Sequence, residues 1–79
     1  MKTAKEMFEE LGYKQIIDLC EISYEINDYS SGYCDWKRVS FDLKDKTFYA
    51  DENYEAMCID AKTFKAIYQQ MKELGWLDE

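Results

Sequence analysis

Residues 20–26, CEISYEI, alternate without a break: Cys20, Ile22, Tyr24 and Ile26 are apolar, and Glu21, Ser23 and Glu25 between them are polar. A period of two marks a strand with one buried and one solvated face, so this stretch demands a sheet with a core on one side only. NDYSSG at 27–32 is a turn by composition. A second strand follows from about Trp36, with Val39, Phe41 and Leu43 inward and Ser40 and Asp42 outward. KDK at 44–46 is a tight connection into a third, short strand, TFYA at 47–50, and short connections of this kind produce an antiparallel meander. Residues 51–56 read as an acidic loop, and Met57-Cys58-Ile59 as at most one further short strand.

Helical signals bracket this meander. Thr3 with Glu6 has the spacing of a capping box, Ala4, Met7, Phe8 and Leu11 form an apolar stripe, and Gly12 supplies the left-handed stop. At the other end Asp60 caps a longer helix that Gly75 ends, with Phe64, Ile67, Tyr68, Met71 and Leu74 as the expected buried stripe. Lys62, Lys65, Gln69, Gln70, Lys72 and Glu73 form its solvated side. Each glycine precedes an aromatic, Tyr13 or Trp76, that can fold back onto the last turn. Residues 13–19 fit either helix or strand. The expected architecture is a single α+β domain over 1–79: two layers, a three-stranded antiparallel sheet in the order α-β-β-β-α, with both helices on one face. Phe8, Leu11, Ile22, Tyr24, Phe41, Phe64, Ile67 and Met71 are the expected core.

Seventy-nine residues, 47% hydrophobic and 16% aromatic, suffice for one small folded core and leave little depth for a water-excluding active site. No apolar run reaches membrane-spanning length, and glutamates occupy the place of a signal peptide's apolar region, so a cytoplasmic protein is expected. Cys20, Cys34 and Cys58 are an odd set with long intervals, no C-x-x-C pair and no histidine beside them; they read as reduced, mostly buried thiols.

The net charge of −7 is local. Residues 1–17 and 61–79 each sum to zero, whereas residues 18–60 hold eleven acids against four bases, a difference of seven. Direct binding to a nucleic-acid backbone is disfavoured by that field. On the solvated sheet face the alternation places Glu21, Glu25 and Asp42, together with Arg38, flanked by Tyr29, Tyr33 and Trp36. These six acids and aromatics are the candidate partner-binding residues. Tyrosine and tryptophan beside polar turns either cover the ends of the sheet or anchor an interface, and both readings stand at this level. The loop Asp51-Glu52-Asn53-Tyr54-Glu55 lacks the ligand spacing and central glycine of an EF-hand, so no metal site is expected. No histidine, serine motif or phosphate-binding glycine loop accompanies the acids. Neither a catalytic residue nor a cofactor is expected, and the chain reads as no enzyme.

TAKEMFEELGY at 3–13, FDLKDKTF at 41–48 and IDAKTFKAIYQQMKELGW at 59–76 together resemble small uncharacterised proteins of prophages and other mobile elements of Gram-positive bacteria. The resemblance rests on caps and stripes and carries over no site residue. It implies a phage-encoded inhibitor or adaptor of host defence or nucleic-acid machinery, of the anti-CRISPR or DNA-mimic type. Its partner would be a host protein with a basic surface. The competing expectation is a homo-oligomeric structural or adaptor protein, a homodimer in the simplest case, whose open sheet face or edge strand pairs with itself; like charges on the face argue against the first and permit the second.

Overall fold

The chain opens on the capping box its sequence announces: the Thr3 hydroxyl accepts the Glu6 N–H at 3.2 Å and the Glu6 carboxylate accepts the Thr3 N–H at 2.9 Å. The computed structural model describes residues 2–28, 35–53 and 55–77. Within them the elements are α1 (Ala4–Glu10), β1 (Lys14–Ile17), β2 (Glu21–Asp28), β3 (Asp35–Asp42), β4 (Thr47–Glu52), β5 (Glu55–Ala56) and α2 (Ala61–Glu73). The strands form one antiparallel sheet in the order β1-β2-β3-β4-β5.

The chain is therefore α+β, but the three-stranded sheet is corrected to five strands. The two extra strands are the rims. Gly12 reverses the chain out of α1 so that residues 14–17 lie antiparallel to β2, with Ile16 opposite Ser23 and Ile17 opposite Ile22. At the other rim the expected acidic loop is a hairpin. Asn53 takes a left-handed conformation, φ 50°, and bonds twice to Trp36: its N–H reaches the Trp36 carbonyl at 2.8 Å and its side-chain oxygen accepts the Trp36 N–H at 2.9 Å. Asparagine tolerates that conformation better than most residues, which lets an acid-rich segment turn back as β5. The connection at 43–46 is tight, as expected; Asp42 Oδ1 accepts the N–H groups of Lys44 and Asp45 at 2.9 and 3.1 Å.

Both helices pack on one face of the sheet. Phe8 of α1 stacks on Tyr24 of β2 at 3.9 Å, and Phe41 of β3 meets both rings edge-on at 6.3 and 6.2 Å. Ile67 and Ala66 of α2 complete the buried cluster with Val39 and Tyr13, and Leu11, Ile22, Met71 and Trp76 pack against it. The Tyr24 hydroxyl lies inside this core, where it donates to the Gln70 side chain and accepts from Gln15 at 3.0 Å. Burial raises its pKa, and the Gln15 bond offsets part of that. Helix α2 is thus rotated from the expected stripe. It buries Thr63, Ala66, Ile67 and Gln70, and leaves Phe64 56% and Tyr68 48% exposed. Phe64 leaves the predicted core, and Gln70 leaves the predicted solvated side because a buried hydroxyl needs its amide.

The thiols also depart from expectation: Cys20, in the bend between β1 and β2, and Cys58, between β5 and α2, are exposed. Cys34 lies outside the described residues. No helix among the described residues is long and apolar enough to cross a membrane.

Candidate partner-binding face

The side of the sheet away from the helices is assembled by register. Lys14, Glu25, Arg38 and Asp51 form one cross-strand row, Ile16, Ser23, Ser40 and Tyr49 the next, and Glu21, Asp42 and Thr47 the third. Trp36 lies two residues before Arg38 on β3 and so shares this face. Four of the six predicted residues, Glu21, Glu25, Asp42 and Trp36, therefore come together here; Tyr29 and Tyr33 lie outside the described residues.

Arg38 is the centre of the face. Its guanidinium donates through Nε to Ser40 Oγ at 2.9 Å and through Nη2 to Tyr49 Oη at 2.7 Å, and it lies over the Tyr49 ring at 5.7 Å. Glu21 and Glu25 approach it at 3.6 and 4.0 Å. Desolvation works against the charge, but the Tyr49 oxygen and the two carboxylates outweigh it, and the pKa of Arg38 is raised. Ser23 donates to Glu21 at 3.2 Å and shares a 3.2 Å bond with Ser40. Since each hydroxyl has one proton, the only consistent direction runs from Arg38 to Ser40, to Ser23, to Glu21: a chain from guanidinium to carboxylate.

That chain explains an unexpected burial. Ser23 and Ser40 were placed on the solvated face by alternation, and they are on it, but 4% and 0% exposed. The Arg38 side chain lies across them, a long stem covering a strip of sheet while its charged end stays near water. The face is thus a set of carboxylates around one arginine over buried hydroxyls, with Lys14 opposite Glu25 at the β1 rim and Tyr49 and Ile16 44% and 43% exposed beside them. Tyr49 and Asp51 were not predicted as site residues. Their signal was the parity of the third strand, which puts 47, 49 and 51 on the open side once Ser40 is paired with Tyr49.

Two features separate the predicted acids. Glu21 and Glu25 are partly neutralised by Arg38, whereas Asp42 accepts two turn N–H groups and also holds the hairpin between β3 and β4. Glu21 and Asp42 nonetheless stand directly opposite one another across the ladder, as do Glu52 and Glu55. Like charges in register are destabilising.

Elsewhere, a cavity of about 160 Å³ between the helices is lined by Lys2, Met7, Glu10, Leu11, Lys62 and Lys65, and Lys2 closes onto Glu10 at 2.6 Å. Among the described residues no cluster of histidine, cysteine or carboxylate side chains is arranged to hold a metal ion. No protein-family model, curated protein or solved structure matches this chain.

Proposed function

We propose that the chain is a non-enzymatic protein-binding module that presents its open sheet face to a basic surface of a partner. The observation that carries this reading is Glu21 set opposite Asp42 on a face that also exposes Tyr49. Repulsion between such acids weakens the free fold and is relieved when a cationic surface covers them. Charge is also divided by layer: residues 14–56, which form the sheet, carry ten acids against five bases, while the two helical ends are each within one charge of neutral. That polarity favours approach of a basic partner to the sheet rather than to the helices. Trp36 and Tyr49 supply aromatic anchors next to the charge. The resemblance to prophage proteins supports placing that partner in host defence or nucleic-acid handling, with the acids standing in for phosphates.

The test separates charge from fold. Glu21→Lys with Glu25→Lys is preferable to any set containing Asp42, because Asp42 also holds a turn. The double variant should keep the parent's circular dichroism spectrum and lose a partner captured from host lysate. Capture should weaken as salt rises, since exposed charges are screened over about 8 Å at physiological ionic strength. Reversal of Lys62, Lys65 and Lys72 on α2 is the matched control and should leave capture unchanged. Capture that ignores salt and the Glu21/Glu25 reversal, but fails on Trp36→Ala or Tyr49→Ala, would replace the charge-led interface with an aromatic-led one.

A further inference from the structure

The two rims of the sheet are unlike. β5 is two residues long and carries Glu55, which blunts it against pairing. β1 has no acid and no proline, and Ile16, Ile17 and Leu19 on and just beyond it are 43%, 68% and 95% exposed. An exposed apolar edge of this kind is a template for another strand.

Its backbone is specific about which residues can pair. The Asp18 N–H donates to the Glu21 carbonyl at 2.9 Å. In an antiparallel ladder, residues bonded to the neighbouring strand alternate with residues whose N–H and C=O point away. Lys14, Ile16 and Asp18 therefore bond toward β2, and Gln15 and Ile17 offer their backbone groups to the rim. The flanking donors are already used: the Tyr13 N–H reaches the Phe8 carbonyl at 3.0 Å and the Leu19 N–H reaches Asp18 Oδ1 at 2.7 Å.

We infer that β1 is a self-pairing edge, where two copies of the chain join antiparallel about a two-fold axis at Ile16 and the sheet runs continuously through both. In that register Gln15 of one copy faces Ile17 of the other, so all the free rim groups answer each other. Ile16 meets its own symmetry mate on the open face. Lys14 of each copy stands opposite Asp18 of the other, giving one opposite-charge pair on either side of the axis. Centring the axis on Gln15 or Ile17 would direct bonds at Tyr13 or Leu19, whose N–H groups are engaged, and would set Lys14 or Asp18 against Ile16. Charge also selects this rim over the face, because residues 13–17 carry Lys14 alone in an acidic sheet layer. The pairing leaves the Arg38 face uncovered, so it is independent of the function proposed above.

Sedimentation equilibrium of the full chain from about 1 μM to about 1 mM should show a monomer–dimer equilibrium. Ile17→Pro removes a rim N–H that the bond to β2 does not use, and proline is tolerated at such edge positions. It should weaken the dimer about thirty-fold by deleting a hydrogen bond on each side of the axis. Asp18→Lys alone should weaken association by setting lysine against lysine, and Lys14→Asp with Asp18→Lys together should restore it. A parent that stays monomeric over the whole range overturns the inference, as does a dimer unmoved by Ile17→Pro. If the proline variant melts below the parent's range, the charge exchange decides alone: a double variant no tighter than Asp18→Lys overturns the register.

Discussion

A residue can be forced left-handed only at a cost that its side chain sets, and the chain spends glycine at two such places. Gly12 and Gly75 have φ of 97° and 76°. After each, the aromatic N–H bonds back six residues' span, Tyr13 to the Phe8 carbonyl and Trp76 to the Met71 carbonyl, both at 3.0 Å. The glycine N–H groups reach Glu9 and Lys72 at 3.0 and 3.1 Å, so both stops are Schellman motifs. An added Cβ would meet nothing within 4 Å at Gly75 and only Ile26 Cδ1 at 3.7 Å at Gly12. Alanine at either position should therefore cost strain alone, about 1 kcal/mol, or a fall of roughly 4–8 °C in Tm for a domain of this size. A much larger loss at Gly12 than at Gly75 would show that strain is not the whole cost there, since a contact of 3.7 Å with Ile26 is ordinary packing. Asp60 gives a pH test at the same scale. Its carboxylate accepts the Thr63 N–H at 2.7 Å, and bonds from the Thr63 side chain and backbone hold its pKa below the ordinary value. The folded pKa lies below the unfolded one, so the contribution is complete above the ordinary carboxylate range and is lost as pH falls through the folded value. Asp60→Asn keeps the acceptor without the titration and should lose less stability than the parent between about pH 7 and about pH 3 in urea melts. Caps and stops were legible because each is a contact within a few residues. Gln70 was not, because the hydroxyl that buries it lies on Tyr24, which no local pattern links to it.

At the scale of elements, legibility followed burial. β2 and β3 are central strands with a core face and an open face, so their sequences alternate and were read with the right faces. The rims carry no such record. Ile16 and Ile17 are adjacent, on opposite sides of β1, and both exposed, so no period distinguishes strand from helix at 14–17. β5 is too short to have a period. Helix α2 failed differently: it has more apolar positions than the core has room for. Phe8, Tyr24 and Phe41 already fill the space beneath it, and what that space takes from α2 is Ile67, the small Ala66 and an amide. The consequence is a contrast within one helix. Ile67→Ala, at 1% exposure, should cost about 2–5 kcal/mol by opening a cavity. Phe64→Ala, at 56% exposure, should cost less than about 1 kcal/mol although the side chain is larger. Equal losses in denaturant titrations would return Phe64 to the core and put α2 back in the orientation its apolar stripe suggested.

For the whole molecule, the balance of charge within the fold can be read by salt. The sheet layer holds most of the excess, ten acids against five bases over residues 14–56, with Glu21 opposite Asp42 and Glu52 opposite Glu55 in the ladder. Against these stand Arg38 with Glu21 and Glu25, Lys37 with Glu52 at 3.8 Å, and Lys2 with Glu10. The favourable pairs are partly or largely exposed, and such pairs contribute between nothing and about 1 kcal/mol each. The repulsion is collective, because most of the excess acids lie in one thin layer and unfolding lets them separate. Added sodium chloride screens both, but it removes more of the repulsion than of the attraction. Tm should therefore rise between about 20 mM and about 300 mM salt, where the screening length falls from about 20 Å to about 6 Å, close to the spacing of neighbouring acids in the ladder. Glu21→Gln with Glu52→Gln, which discharges one member of each described acid pair, should flatten the rise. A Tm that falls with salt in the parent would show that the Arg38 network dominates, and that the acids of the open face are held by the fold rather than kept available for a partner.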